Sequence, residues 1–211
     1  MIFQNFVVGR LQANCYVVGD ERTRDVMVID PGDNGRELVS QFQQNDWNVT
    51  VVLVTHAHLD HSGSVYEILS SFPQAIFAMH ELDYPLIEQQ APSALTWYGR
   101  EISLPRVPDR YLVHGEELLI GDSIRYKILF TPGHTPGHIC IYGQGHVFTG
   151  DVLFQGSIGR SDFPGSNSEQ LMNSIKNHLM SLSPDTLVYS GHGPKTTIED
   201  ELQFNPFLTR L

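Results

Sequence analysis

The chain has 211 residues, 13 of them Lys or Arg and 24 Asp or Glu, for a formal charge of −11, which argues against a partner held mainly through phosphate neutralisation. At 41% hydrophobic and 18% charged residues it can bury a core and lacks the composition of a disordered tail. No run approaches the ~20 apolar residues of a transmembrane span, and MIFQNFVVGR lacks the basic cluster and cleavage site of a secretory leader. One domain over residues 1–211 is therefore expected, cytoplasmic, with no membrane or nucleic-acid partner.

Short apolar bursts open the chain. IFQNFVV, NCYVVG and DVMVID read as hairpin-connected strands. GRELVSQFQQ, from Gly35 to Gln44, spaces Leu38, Val39 and Phe42 as a helical stripe. VTVVLV is a β-branched run of the kind buried on both faces, and it ends in THAHLDH. Ser62 to Phe72 has helical spacing at Val65, Ile68, Leu69 and Phe72, and AIFAM returns as a strand.

Residues 85–108 hold four of the twelve prolines together with Trp97 and Tyr98. They predict a helix fragment and then a surface excursion whose aromatic pair plugs the core or lines a pocket. Strands resume at RYLVHG, EELLIG, IRYKILF, HICIYG and HVFTG, followed by a helix over Ser168–Leu182, the strand TLVYSG and a last short helix. The simplest packing of these elements is an α+β fold, a four-layer αββα sandwich. Cys15 and Cys140 read as buried, reduced strand residues.

Ten histidines are present, and His56, His58, His61, His134, His138 and His192 fall in short segments rich in Gly, Thr and Pro. In Thr55-His56-Ala57-His58-Leu59-Asp60-His61, side chains at i and i+2 of an extended stretch project together, so His56 and His58 can grip one ion. A turn into the following helix swings Asp60 and His61 toward a second. ILFTPGHTPGH, VFTGD and LVYSGHG are strand ends followed by Gly-rich turns, and they offer His134, Asp151 and His192.

The resulting assignment places His56, His58 and His134 on one cation, Asp60, His61 and His192 on the other, and Asp151 between them. Asp60 and Asp151 are the candidate catalytic carboxylates. Imidazole and carboxylate donors suit zinc first, and iron or manganese after it. His138, four residues after His134, is expected behind a ligand or in the core. Arg160 and Asp162 read as an ion pair bracing their loop, although Arg160 could instead take a substrate carboxylate.

These residues resemble the metallo-β-lactamase superfamily, and TPGHTPGH, FTGD and SGHG are most similar to its glyoxalase II-like (hydroxyacylglutathione hydrolase) branch. The resemblance runs from QANCYVV and DPG through GRSDFPG to NPFL. It implies the αββα fold, a dinuclear site on the same seven residues, and hydrolysis of an S-lactoylglutathione-like thioester by a hydroxide held between two cations. The absence of a GxSxG elbow agrees, and a thiolate of pKa ~8.5 leaves without a strong acid.

The substrate end is less determined. Lys195 and Arg210 are the sole cations after His192, which leaves the thiol carrier open. GRSDF also resembles the persulfide dioxygenases, which would imply mononuclear iron. Lactone hydrolysis is compatible with the same residues, and so is a non-catalytic metal-binding module of this fold. Oligomeric state is not determined by these residues.

Overall fold

The computed structural model describes residues 1–99 and 101–209, without the side chains of Trp97 and Tyr98. The reading of Trp97 and Tyr98 as a plug, and that of Arg210 as a cation, lie outside what is described.

The first half builds one sheet. Strands β1 (Ile2–Val8), β2 (Ala13–Gly19) and β3 (Asp25–Ile29) form an antiparallel meander. Helix α1 (Gly35–Gln44) follows and buries Leu38 and Phe42. β4 (Asn48–Leu53) then returns parallel to β3. After α2 (Leu59–Ser62) and α3 (Val65–Ser71) come β5 (Ile76–Met79), α4 (Tyr84–Gln90), α5 (Ala94–Tyr98) and the short β6 (Arg110–Tyr111). The order across this sheet is β1-β2-β3-β4-β5-β6.

The second half builds the other sheet from β7 (Glu117–Ile120), β8 (Ile124–Phe130), β9 (Ile139–Gly143) and β10 (His146–Gly150). A small hairpin, β11 (Leu153–Phe154) with β12 (Ser157–Ile158), follows. Helix α6 (Ser168–Ser174), β13 (Leu187–Ser190), β14 (Thr196–Thr197) and α7 (Ile198–Phe204) complete the fold. β13 runs parallel to β10, and the sheet order is β14-β13-β10-β9-β8-β7.

Three apolar clusters define four layers. Tyr16, Met27, Ile29, Val51 and Leu53 of the first sheet meet Ile120, Tyr126, Ile128, Ile141 and Phe148 of the second. On the outer face of the first sheet, Val28, Val52 and Val54 pack under Leu38, Phe42, Val65 and Ile68. On the outer face of the second, Cys140, Val147 and Val188 pack under Leu171, Ile175 and Ile198. Val51 and Leu53 facing one cluster while Val52 and Val54 face another accounts for the β-branched run of β4, which is covered on both sides. This is the αββα sandwich expected from the sequence.

Several boundaries differ from the sequence reading. The helix expected over Ser62–Phe72 is shortened to α3, Val65–Ser71, and Ser62 instead ends the separate α2, the two being parted at Gly63 and Ser64. There the Ser64 N–H leaves the helical pattern to bond the Pro31 carbonyl at 2.9 Å, a tertiary contact that local periodicity cannot carry. The helix expected over Ser168–Leu182 is α6 followed by a π-helical turn over Ile175–Leu179. RYLVHG pairs only at Arg110 and Tyr111. The β11–β12 hairpin and β14 carry two residues per strand, too few for a period to register. Cys15 and Cys140 are buried free thiols, as expected.

No helix among the described residues is long and apolar enough to cross a membrane.

Candidate metal centre

The strands that matter end along one edge of the sandwich. β3 runs out into Asp30, β4 into Thr55 and His56, β8 into the loop bearing His134, β10 into Asp151 and β13 into His192. His58 occupies the N-cap of α2, whose first turn carries Asp60 and whose last carries His61. His192 reaches the edge because the two sheets are latched there. The Asn14 N–H donates to the Gly191 carbonyl at 2.7 Å, and Asn14 Nδ2 and Tyr16 OH both donate to the Ser190 carbonyl at 2.9 and 2.7 Å.

All seven residues singled out from the sequence converge. His56, His58 and His134 form one group and Asp60, His61 and His192 another, the donor atoms in each lying within 4.8 Å of one another. His58 Nδ1 and His134 Nε2 are 2.9 Å apart, and His61 Nε2 and His192 Nε2 3.2 Å. Ligands ~2.0–2.1 Å from a tetrahedral cation are spaced by about 3.3 Å, so both spacings match a shared ion.

Asp151 stands between the groups. Its Oδ1 is 3.4 Å from His61 Nε2, and its Oδ2 is 3.6 Å from His134 Nε2, 3.7 Å from His192 Nε2 and 4.0 Å from His56 Nε2. Gly191 must be glycine for this carboxylate to fit. A Cβ there would lie 2.3 Å from Asp151 Oδ1 and 2.6 Å from the His61 ring.

Four of the five imidazoles are held from behind through Nδ1, leaving Nε2 bare toward the centre. His134 Nδ1–H donates to the Arg160 carbonyl at 2.7 Å, and His192 Nδ1–H to the Leu11 carbonyl at 3.1 Å. His61 Nδ1–H donates to Asp30 Oδ2 at 3.0 Å. Thr55 Oγ1 donates to that same carboxylate at 2.7 Å and accepts from His56 Nδ1 at 3.0 Å. Fixing tautomer and ring orientation in this way is how metal-binding histidines are prepared.

His56 Nε2 and Asp151 Oδ1 are then buried polar atoms with no hydrogen-bond partner, which a fold tolerates at a cost unless a ligand satisfies them. The residues present therefore fit a pair of divalent cations.

Electrostatics agree with this. Burial and the adjacent His134 bring His58 down to about 4, and burial does the same to His134, so both offer lone pairs at neutral pH. Burial works against ionisation of Asp60, yet His61 and His192 hold its carboxyl well below the usual range. Burial also pulls His61 down, but Asp151, Asp60 and Asp30 together raise it to about 10. The carboxylates favour positive charge at this end of the centre.

His138 is not among the inward-facing donors. Its Nε2 accepts from the Asp151 N–H at 3.2 Å and its Nδ1–H donates to Thr131 Oγ1 at 3.1 Å, so both ring nitrogens are used. It supports the backbone beneath Asp151, in line with its expected place behind the inward-facing donors. Arg160 and Asp162 pair bidentately at 2.9 and 3.0 Å at the surface, the bracing arrangement. The Arg160 guanidinium also sits 4.2 Å over Phe163, whose ring lies 5.3 Å from that of His58.

Two buried carboxylates that bond the histidine-bearing loops escaped the sequence reading: Asp30, through Thr55 and His61, and Asp83, through Ala57, Thr135 and Gly137. Asp30 directly follows β3 and opens the Asp-Pro-Gly turn, a position that could have drawn attention. Asp83 carries no signal in its neighbourhood. Replacing Asp30 with Asn is expected to weaken metal affinity by about 10–100-fold, the range for such partners, with retention of a folded far-ultraviolet spectrum. Competition titration against a chromophoric chelator measures it, and an affinity within twofold of the parent contradicts the role.

Comparison with known proteins places this arrangement. The family model described as the metallo-β-lactamase superfamily matches residues 8–192, and the chain belongs to that superfamily. Among curated relatives, hydroxyacylglutathione hydrolase GloC of Haemophilus influenzae is 38% identical over 207 residues, covering 95% of each chain.

Two solved structures are similar over nearly their whole length. The BLEG-1 B3 metallo-β-lactamase has a TM-score of 0.90 at 34% identity, covering 99% of this chain and 100% of that one. TTHA1623, solved in a di-iron-bound form, has a TM-score of 0.87 at 39% identity, covering 97% and 100%. The superfamily is one of metal-dependent hydrolases, and this chain carries its His and Asp cluster.

Proposed function

We propose that the protein is a dinuclear-metal-dependent hydrolase of small acyl thioesters, S-lactoylglutathione-like, in the glyoxalase II-like branch of its superfamily. The observation that carries the reading is the position of Asp151, in reach of both histidine-rich groups at once. His56, His58 and His134 would hold one cation, Asp60, His61 and His192 the second, with Asp151 shared. Zinc is the first candidate, and iron and manganese suit the same imidazole and carboxylate donors. Two such ions supply a nucleophile from water at neutral pH and polarise the substrate carbonyl.

The chain's own residues do the rest. Asp60 stays ionised because His61 and His192 flank it, so it contributes charge rather than a proton. The Nδ1–H bonds behind His56, His61, His134 and His192 fix the ring nitrogens in advance, so little reorganisation accompanies charge development in the transition state. Neither cysteine competes as a nucleophile, since burial pushes the Cys15 thiol well up and the Cys140 thiol up to about 12.

A thioester suits this site because its thiolate leaves unprotonated. The 38% identity to a hydroxyacylglutathione hydrolase supports the same substrate class.

The test is a substrate panel on zinc-loaded protein. Turnover of S-D-lactoylglutathione at a kcat/KM of about 10⁴ M⁻¹s⁻¹ or more, with weaker action on a β-lactam and a homoserine lactone, is expected. Preferred β-lactam or lactone opening contradicts the reading, as does oxygen uptake with glutathione persulfide on a single iron. A metal-replete protein inert toward the whole panel would make the chain a non-catalytic module.

A further inference from the structure

One buried carboxylate near the centre bonds the loops that carry its histidines rather than the imidazoles themselves. Asp83 is fully buried and lies just before α4, outside both groups of inward-facing donors. Its Oδ2 accepts from the Ala57 N–H at 2.9 Å and from the Thr135 hydroxyl at 2.6 Å, and its Oδ1 accepts from the Gly137 N–H at 2.5 Å. Ala57 sits between His56 and His58, and Thr135 directly follows His134. A single side chain thus ties together, from the rear, the two loops that bring His58 Nδ1 and His134 Nε2 to 2.9 Å.

We propose that Asp83 is a positioning residue for one half of the metal centre: it sets the spacing of the His56–His58 loop against the His134 loop, and with it the affinity of the cation those three histidines would hold. The inference rests on the dinuclear reading and is independent of which substrate is hydrolysed.

The chemistry of the clamp requires a carboxylate. Two N–H groups and a hydroxyl converge on two oxygens, and an ionised carboxylate accepts with both. Asparagine would turn an NH₂ toward one of those donors. Gly137 completes the fit, because a Cβ there would lie 2.7 Å from the Asp83 nitrogen and 2.8 Å from its Oδ1, so the loops close only without one. Partners of this kind around metal-binding histidines typically change affinity by about 10–100-fold when altered. Asp83 differs from the more usual case in gripping the loop backbones rather than an imidazole, so its effect should be confined to the half it spans.

The experiment is calorimetric titration of metal-free protein with zinc, paired with urea unfolding of the same metal-free samples. Wild type is expected to take up two equivalents. In Asp83→Asn one equivalent should weaken by about 10–100-fold while the other stays within about threefold. Thr135→Val, which removes one of the three donors and is the milder change, should weaken the same equivalent to a smaller degree. His192→Gln removes a donor of the opposite group, so combining it with Asp83→Asn should weaken both equivalents, where each alone weakens one.

A merely structural role would lower the urea midpoint of metal-free protein and leave the two equivalents in their original ratio. That outcome overturns the proposal, as does an unchanged titration in both Asp83→Asn and Thr135→Val. Wild type that binds fewer than two equivalents overturns the dinuclear reading itself, a failure visible before any variant is made.

Discussion

Asp151→Ala is expected to lower kcat/KM for an acyl thioester by about 10²–10³-fold at saturating zinc, on the scale of losing an electrostatic interaction made in the transition state. The Asp151 carboxylate lies within 4.0 Å of donors from both groups, His56 and His134 on one side and His61 and His192 on the other. Removing it deletes a negative charge from a buried position ringed by four imidazoles. Gly191 and the His61 ring pack directly against it, and a Cβ on Gly191 would lie 2.3 Å from its Oδ1. Asp151→Asn separates shape from charge: it fills the same volume, and its loss should approach that of alanine. Steady-state assays on protein checked for retained secondary structure measure both, and activity within tenfold of wild type in Asp151→Ala contradicts the assignment.

Stripping the metal is expected to produce the second large effect, on stability. The chain carries a formal charge of −11, and Asp30, Asp60 and Asp151 concentrate acidic groups where the two sheets are latched. A cation present at a hundred times its dissociation constant stabilises the folded state by about 2.7 kcal/mol. For a domain of this size each kcal/mol shifts Tm by about 2–4 °C, so each site contributes about 5–10 °C and two sites roughly twice that. Scanning calorimetry of chelator-treated protein, repeated across a zinc titration, should show a Tm that climbs with free zinc. The climb should be reduced in Asp151→Ala. A Tm indifferent to zinc over that range contradicts the centre.

The inward-facing part of this site was legible in the sequence, and the part behind it was not. THAHLDH declared itself because four ligand-type side chains stand in six positions directly after the β-branched run of β4. His134, Asp151 and His192 followed from Gly-rich turns at strand ends. What orients these groups is largely anonymous: the Leu11 and Arg160 carbonyls that hold His192 and His134 belong to the backbone, and any residue type could supply them. Asp83 lies 26 residues from the amide it accepts from at Ala57 and 54 from that at Gly137, in a segment with no pattern to mark it.

The same division applies to the fold. Strands β4 and β8 and helix α1 follow from local periodicity, which their two-sided or one-sided burial enforces. The break at Gly63 and Ser64 depends on the Pro31 carbonyl across the Asp-Pro-Gly turn. The two-residue strands β11, β12 and β14 exist only because a neighbouring strand is there to pair with.

Anomalous diffraction at the zinc edge, on crystals of the zinc-loaded protein, addresses the central claim most directly. Two peaks about 3.5–4 Å apart are predicted, one against His56, His58 and His134, the other against Asp60, His61 and His192, with the Asp151 carboxylate between them. A single peak, or zinc bound elsewhere with these side chains turned away from one another, would contradict it.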